Sequence, residues 1–348
     1  MLSLLMRQPY TDMPSFLRAS EDAWGVALLL CDLIQTRSTA ATFSTFSYLF
    51  LSDGWRRIIE GNVISGATVD RIPLEKFPSF PAVLPMLSMQ RKVADILSAY
   101  DDLIENNQRR MALLEEAVRQ LYREWFVRLR FPGHEPSRII DSPLGPIAEG
   151  WRVVRLGDIT TKIGSGATPR GGQSAYQEQG ITLIRSLNIY DERFADEGLA
   201  FIDDDQAAQL SHVTVEPRDI LLNITGASVA RCCMVPERYL PARVNQHVMI
   251  IRVNATLADP SFVLCAINSD QRKRQLLSYA QVGATREALT KETVTNFEIV
   301  LPDEKLLRQF GEIACDISQQ REVLAHQNAD LRAARDLLPR LMSGEIAV

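Results

Sequence analysis

The chain has 348 residues, 46% hydrophobic and 23% charged, which is material for two cores rather than one. A formal net charge of −5 and a pI near 5.6 argue against a protein that coats nucleic acid through bulk positive charge, so any contact with DNA has to be local. Five cysteines with no C-x-x-C pair and four scattered histidines argue against a zinc site. An odd cysteine count without a cationic signal start fits a reducing cytoplasmic setting.

In chain order, the first apolar run, Val26 to Leu30 with its flanks, is too short to span a bilayer and reads as a buried strand. Further on, GATVDRIPLEKFPSFPAVLP from Gly66 is matched by GATREALTKETVTNFEIVLP from Gly283, without a gap, at an offset of 217 residues. Ser52-Asp53 and Ser269-Asp270 stand at the same offset. The chain therefore carries an internal repeat.

A long helical pattern follows each Leu-Pro. In the first, Val93, Leu97, Tyr100, Ile104, Asn107, Met111, Leu114, Val118, Leu121 and Trp125 step alternately by 4 and 3, the spacing of a coiled-coil seam. The offset gives a second seam of Phe310, Ala314, Ile317, Arg321, Leu324, Asn328, Leu331, Arg335, Leu338 and Met342. Each helix of roughly 40 residues would be about 60 Å long. An antiparallel pairing that sets Val93 beside Met342 also sets Asn107 beside Asn328, where two facing amides can fix register at a position too polar for a lone side chain. The alternative leaves both asparagines facing solvent.

FPGHEPSRIIDSPLGPIAEGW, with four prolines, breaks the first helix and marks a boundary. Beyond it, β-type runs at Trp151–Leu156, Ile181–Ile184, Ile220–Ile224 and Val248–Val253, with helical patterns at Asp203–Leu210 and Ser261–Leu277, read as a mixed α/β domain.

Catalytic signatures are missing from the sequence. It has no G-x-x-x-x-G-K-[ST] phosphate loop and no Asn-Pro-Pro-Phe-like run, and Gly164-Ser165-Gly166 lacks the setting of a methyl-donor loop. Pro302-Asp303-Glu304-Lys305 has its acids side by side and reads as a helix start, not a nuclease motif. Any local contact with DNA would need donors and acceptors on loops: Arg for guanine or phosphate, Asn or Gln for adenine, and Ser or Thr for either.

Three loops supply such groups. The first runs from Lys162 to Gly172 with Ser165, Thr168 and Arg170; the second from Arg185 to Arg193 with Asn188 and Tyr190; the third from Thr225 through Ser228 to Arg231, with Arg286 as a possible neighbour. Each has a plainer reading: a solvated glycine-rich turn, an Arg185 paired with Asp191, Glu192 or Asp196, and a structural Gly-Ala-Thr turn. Asn245, Gln246 and His247, just before an apolar strand, are expected to be buried hydrogen-bonders.

WRVVRLGDITTKIGSGATPRGG, DILLNITGASVARCCMVPE, RVNQHVMIIR, GATREALTK and LPMLSMQRKVADILSAYDDLIENNQRRMALLEEAVRQLYREWF resemble segments of Type I restriction-modification specificity subunits. The resemblance runs over about residues 40–348. It implies an α/β fold of mixed α+β target-recognition domains joined by two long helices in an antiparallel coiled coil. The parts would be an incomplete first target-recognition domain (1–87), a central helix that docks the methyltransferase (88–130), a Pro-rich linker (131–150), a complete second recognition domain (151–302) and a distal helix (303–348). At the repeat offset Met1 falls on Arg218, so the first domain is expected to lack counterparts of residues 151–217.

The resemblance further implies a non-catalytic, cytoplasmic DNA-binding subunit that directs methyltransferase and restriction/translocase subunits to a bipartite site on double-stranded DNA. It would have no cofactor of its own; S-adenosylmethionine, ATP and Mg would belong to the partners, and no membrane is involved. A half-subunit that homodimerises on a palindromic site, and a coiled-coil scaffold without DNA binding, are the alternatives.

Overall fold

The computed structural model describes residues 53–64, 72, 79–81, 86–135, 137–281 and 288–342. The apolar run at 26–30, both Gly-Ala-Thr turns and Arg286 lie outside the described residues. The chain separates into two compact units, one ending at Gln108 and resuming at His326, the other running from Arg109 to Ala325.

In the first unit, helix α1 (Asp53–Glu60) buries Trp55, whose ring meets Phe80 edge-on at 6.3 Å. Long helices α2 (Leu87–Tyr122) and α7 (Glu304–Met342) contribute one end each to this unit. On α2, Val93, Leu97, Ile104 and Asn107 are buried, whereas Asp95, Ile96, Asp102 and Leu103 between them are exposed, so the 4-3 spacing marks the face that is covered. Asn107 Nδ2 donates to Asn328 Oδ1 at 3.0 Å, and Asn328 Nδ2 donates to the Ile104 carbonyl at 3.3 Å. About two turns away the Arg335 guanidinium reaches Asp101 at 2.8 Å. Contacts that climb one helix descend the other, so the two run antiparallel. Met342, the expected neighbour of Val93, has a side chain outside the described ones.

In the second unit α2 ends in a wide helical turn, Arg123–Val127, closed by Arg128 N–H donating to the Arg123 carbonyl at 2.9 Å. In this turn the half-buried Phe126 packs against the core, among Phe262 (4.9 Å), Phe310 (5.3 Å) and Trp151 (5.9 Å). Aromatic edges and faces at these separations add to the gain from burial. Residues 131–150 hold a hairpin, β1 (Ile139–Ser142) and β2 (Gly145–Ala148), over a small core of Phe131, Ile147, Ala148, Trp151 and Leu306.

The rest of this unit is built on two four-stranded sheets. The first has the order β11 (Cys232–Met234), β10 (Ile220–Asn223), β13 (Val248–Val253), β4 (Thr160–Ser165), all neighbours antiparallel. The second has the order β8 (Ala200–Ile202), β5 (Ile181–Ile184), β12 (Ala242–Val244), β9 (Thr214–Val215), with β5 and β12 parallel. Short pairs join β3 (Arg152–Arg155) to β14 (Glu298–Leu301), and β6 (Ile189–Tyr190) to β7 (Arg193–Phe194).

The first sheet is the middle layer. Ile220, Leu222, Met249 and Ile251 face one core with Phe262, Phe297 and Phe310, while Leu221, Val248 and Ile250 face another with Ile184 and Val244. Burial on both faces is why β10 and β13 read as unbroken apolar runs instead of alternating ones. Fully covering each such side chain contributes about 1.5–3 kcal/mol.

The helical pattern at 261–277 is two helices, α4 (Pro260–Asn268) and α5 (Asp270–Gln281), after the short α3 (Asp204–Gln209) and before α6 (Lys291–Thr295). Asp259 caps α4 by accepting from Ser261 N–H at 2.8 Å, and Ser269 at ψ 144° breaks the run. Among the described residues no helix is long and apolar enough to cross a membrane, and no group of His, Cys, Asp and Glu is arranged to hold a metal ion.

Candidate nucleic-acid interface

Strand register decides where the three loops go. Ser165, at the end of β4, pairs with Met249 near the start of β13. Asn223, at the end of β10, pairs with Val248, and Cys232, at the start of β11, pairs with Leu222. In the second sheet Ile184 and Val244, the last residues of β5 and β12, stand side by side. The two sheets are laced together here, because Gly166 N–H donates to Val248 O (2.8 Å), Ala167 N–H to Val244 O (3.1 Å) and Asn245 N–H to Ile184 O (3.0 Å). All three loops therefore leave from one end of both sheets.

Gly166 makes the lacing possible. A Cβ there would sit 2.1 Å from the Val244 carbonyl oxygen and 2.3 Å from that of Asn245, closer than any side chain tolerates. In the third loop Gly226 takes φ +74°, a conformation in which glycine carries no steric penalty.

Side chains then tie the loops to one another. Thr168 Oγ1 donates to Gln246 Oε1 at 2.6 Å, Gln246 Nε2 meets His247 Nε2 at 3.0 Å, and His247 Nδ1 meets Thr225 Oγ1 at 2.7 Å. This chain runs from the first loop to the third. Asn223, fully buried, donates through Nδ2 to the Ser186 carbonyl (2.8 Å) and to Ser228 Oγ (3.1 Å), which joins the third loop to the second.

Cationic groups stand over aromatic faces at this end. Arg193 and Arg231 both lie against the Tyr190 ring, their guanidinium carbons 4.6 and 4.7 Å from its centroid. Among the described residues neither makes an ion pair with a carboxylate. Arg185 lies over Tyr176 at 5.2 Å and donates to the Gly198 carbonyl. The three acids near Arg185 are engaged elsewhere: Asp191 with Lys273, Glu192 with Arg119, and Asp196 with the Tyr239 hydroxyl. Arg170 is exposed, and its backbone is clasped by Gln206, which accepts from its N–H and donates to its carbonyl.

Two of the residues expected to read DNA are committed to the fold. Asn188 is fully buried; its amide accepts from Arg185 N–H and donates to the Ala195 and Glu197 carbonyls, which leaves nothing for a base edge. Lys162 lies within β4 opposite Arg252, and its ammonium donates to the His212 carbonyl at 2.8 Å. Burial, with the Arg252 guanidinium adding to it, lowers the Lys162 pKa. Ser165 and Thr168 are exposed, Thr225 and Ser228 half-buried.

Of the Asn245-Gln246-His247 turn, Asn245 is buried and accepts from His247 N–H at 3.1 Å, whereas Gln246 is exposed. Its exposure was not legible, since a polar residue next to an apolar strand most often satisfies buried backbone. Within the second loop, burial raises the Glu192 carboxyl to about 7; Glu115 and Asp191 push it further up, and Arg119 only partly offsets them.

The second unit is thus a mixed α/β domain with tethered polar loops at one end, flanked in sequence by a long helix on each side. No family model matches the chain. It is 24% identical over 86% of its length to the Type I restriction enzyme MjaIX specificity subunit of Methanocaldococcus jannaschii, covering 68% of that protein. It is 22% identical over 86% of its length to the MjaVIII specificity subunit of the same organism, covering 70%. In fold it matches the Type I restriction-modification S subunit of M. genitalium with a TM-score of 0.52 at 14% identity, over 85% of this chain and 71% of that one. Sequence and fold both relate the chain to the Type I restriction enzyme specificity subunits.

Proposed function

We propose that the chain is a non-catalytic, cytoplasmic specificity subunit that reads double-stranded DNA through the loops of residues 151–302. The observation that carries this reading is the convergence of three polar loops at one end of two sheets, with Arg170, Arg185, Arg193 and Arg231 among them. A chain of net charge −5 can bind DNA only where such groups are concentrated. Arg231 and Arg193, held against the Tyr190 ring, can offer N–H groups to phosphates or guanines.

In this reading each recognition domain takes one part of a bipartite site, and the antiparallel helices set the distance between the parts. The helices also dock methyltransferase subunits, which supply S-adenosylmethionine and the methyl transfer, and a restriction/translocase subunit brings ATP and Mg. No cofactor binds this chain. The names of the curated relatives, each matched over most of this chain, support the assignment.

Footprinting of the full chain with its methyltransferase on duplex DNA tests it. Two protected patches of unlike sequence are expected. Two identical patches would instead make the chain a homodimerising half-subunit, and no protection would reduce it to a scaffold.

A further inference from the structure

Gln246 stands at the apex of a turn whose backbone is fixed on every side. Asn245 N–H is bound to Ile184 O at 3.0 Å, His247 N–H to Asn245 Oδ1 at 3.1 Å, and Val248 N–H to Asn245 O at 3.0 Å. The side chain is exposed, yet its amide is oriented by two neighbours, the Thr168 hydroxyl on Oε1 and His247 Nε2 beside Nε2. His247 Nδ1 in turn lies 2.7 Å from Thr225 Oγ1, so the carboxamide is tied at both of its polar atoms into a chain that runs from Thr168 through Gln246 and His247 to Thr225.

An oriented carboxamide retains one N–H and one oxygen lone pair for solvent after these bonds. That donor-acceptor pair complements the major-groove edge of adenine, which offers the N7 acceptor and the N6 amino donor, and no other base shows the same pair. An exposed glutamine with no function would swing freely, since its rotamer entropy opposes any fixed pose. Here two side chains from two loops are placed to prevent it.

We propose that Gln246 reads an adenine in the DNA target, with Thr168 and His247 as positioning residues that hold its amide in place. This rests on the DNA-recognition reading above and assigns within it a base and the side chain that reads it.

The test is selection of bound duplexes from a randomised double-stranded pool, using the full chain purified with its methyltransferase partner. Wild type should enrich a motif containing adenine at a required position. Gln246→Ala should enrich the same motif with the preference for adenine at that one position reduced about tenfold and the remaining positions kept. Thr168→Val should relax the same position to a smaller extent, and Thr168→Ser, which keeps the hydroxyl, should restore it. A Gln246→Ala motif identical to wild type, or weaker enrichment with every position unaltered, as a phosphate contact would give, overturns the assignment while leaving DNA recognition intact. A wild-type chain that enriches no motif overturns the recognition reading and this assignment with it.

Discussion

Asn107 and Asn328 are each buried in a helix seam and satisfied by the other. Replacing one alone strands its partner, and a buried unsatisfied amide costs about 1–3 kcal/mol. Asn107→Leu should therefore lower stability by that amount in a denaturant titration, while Asn107→Leu with Asn328→Leu should recover most of it. Glu192 acts through protons. Its carboxyl titrates near 7 in the fold against 4.5 unfolded, so the folded state holds the proton more tightly. That contribution is complete below about pH 4.5 and is lost as pH rises through 7, up to about 3 kcal/mol. Melting of wild type should fall between pH 5 and 8 more steeply than that of Glu192→Gln; parallel curves would contradict the assignment. Arg193→Ala and Arg231→Ala should each weaken duplex binding and reduce the slope of log affinity against log salt by about one, with unaltered melting. Such effects were legible only as residue types. That Arg193 and Arg231 share Tyr190 depends on β6 and β11 meeting, which spacing along the chain does not show.

At the scale of elements, the sequence marks what repeats and misses what is set by distant partners. The 4-3 spacing picks out the buried line of α2, and the apolar runs give β5, β10 and β13. The break at Ser269 escapes notice because Ser269 and Asp270 suit a helix interior poorly but do not forbid it; the turn forms so that α4 can lie wholly inside the core. The hairpin at 139–148 is hidden by the prolines around it. Asn188 looks like a reader because its loop is rich in donors, yet backbone groups of Arg185, Ala195 and Glu197 absorb the amide. Gly166 shows the cost of disturbing the lacing between sheets. Gly166→Ala drives a Cβ into two carbonyl oxygens, so it should destabilise the second unit by more than about 2 kcal/mol and weaken duplex binding with it. A melting temperature equal to wild type would show that the first loop is not anchored there.

For the whole molecule, residues scattered from 165 to 247 meet at one end of the second unit because the strand registers bring them there, and that end is the one proposed to read DNA. The repeat and the family-like segments made a recognition protein legible, and the relatives in M. jannaschii agree with it. That end depends on pairing between residues up to about 90 apart in sequence, as in β4 with β13. Hydrogen-deuterium exchange of the full chain with its methyltransferase, with and without a selected duplex, measures this most directly. Protection is expected together in residues 166–171, 185–193, 225–231 and 245–247, with the α4 and α5 segments unaltered. Protection confined to other parts of residues 151–302, with those four segments exchanging as in the free protein, would contradict it.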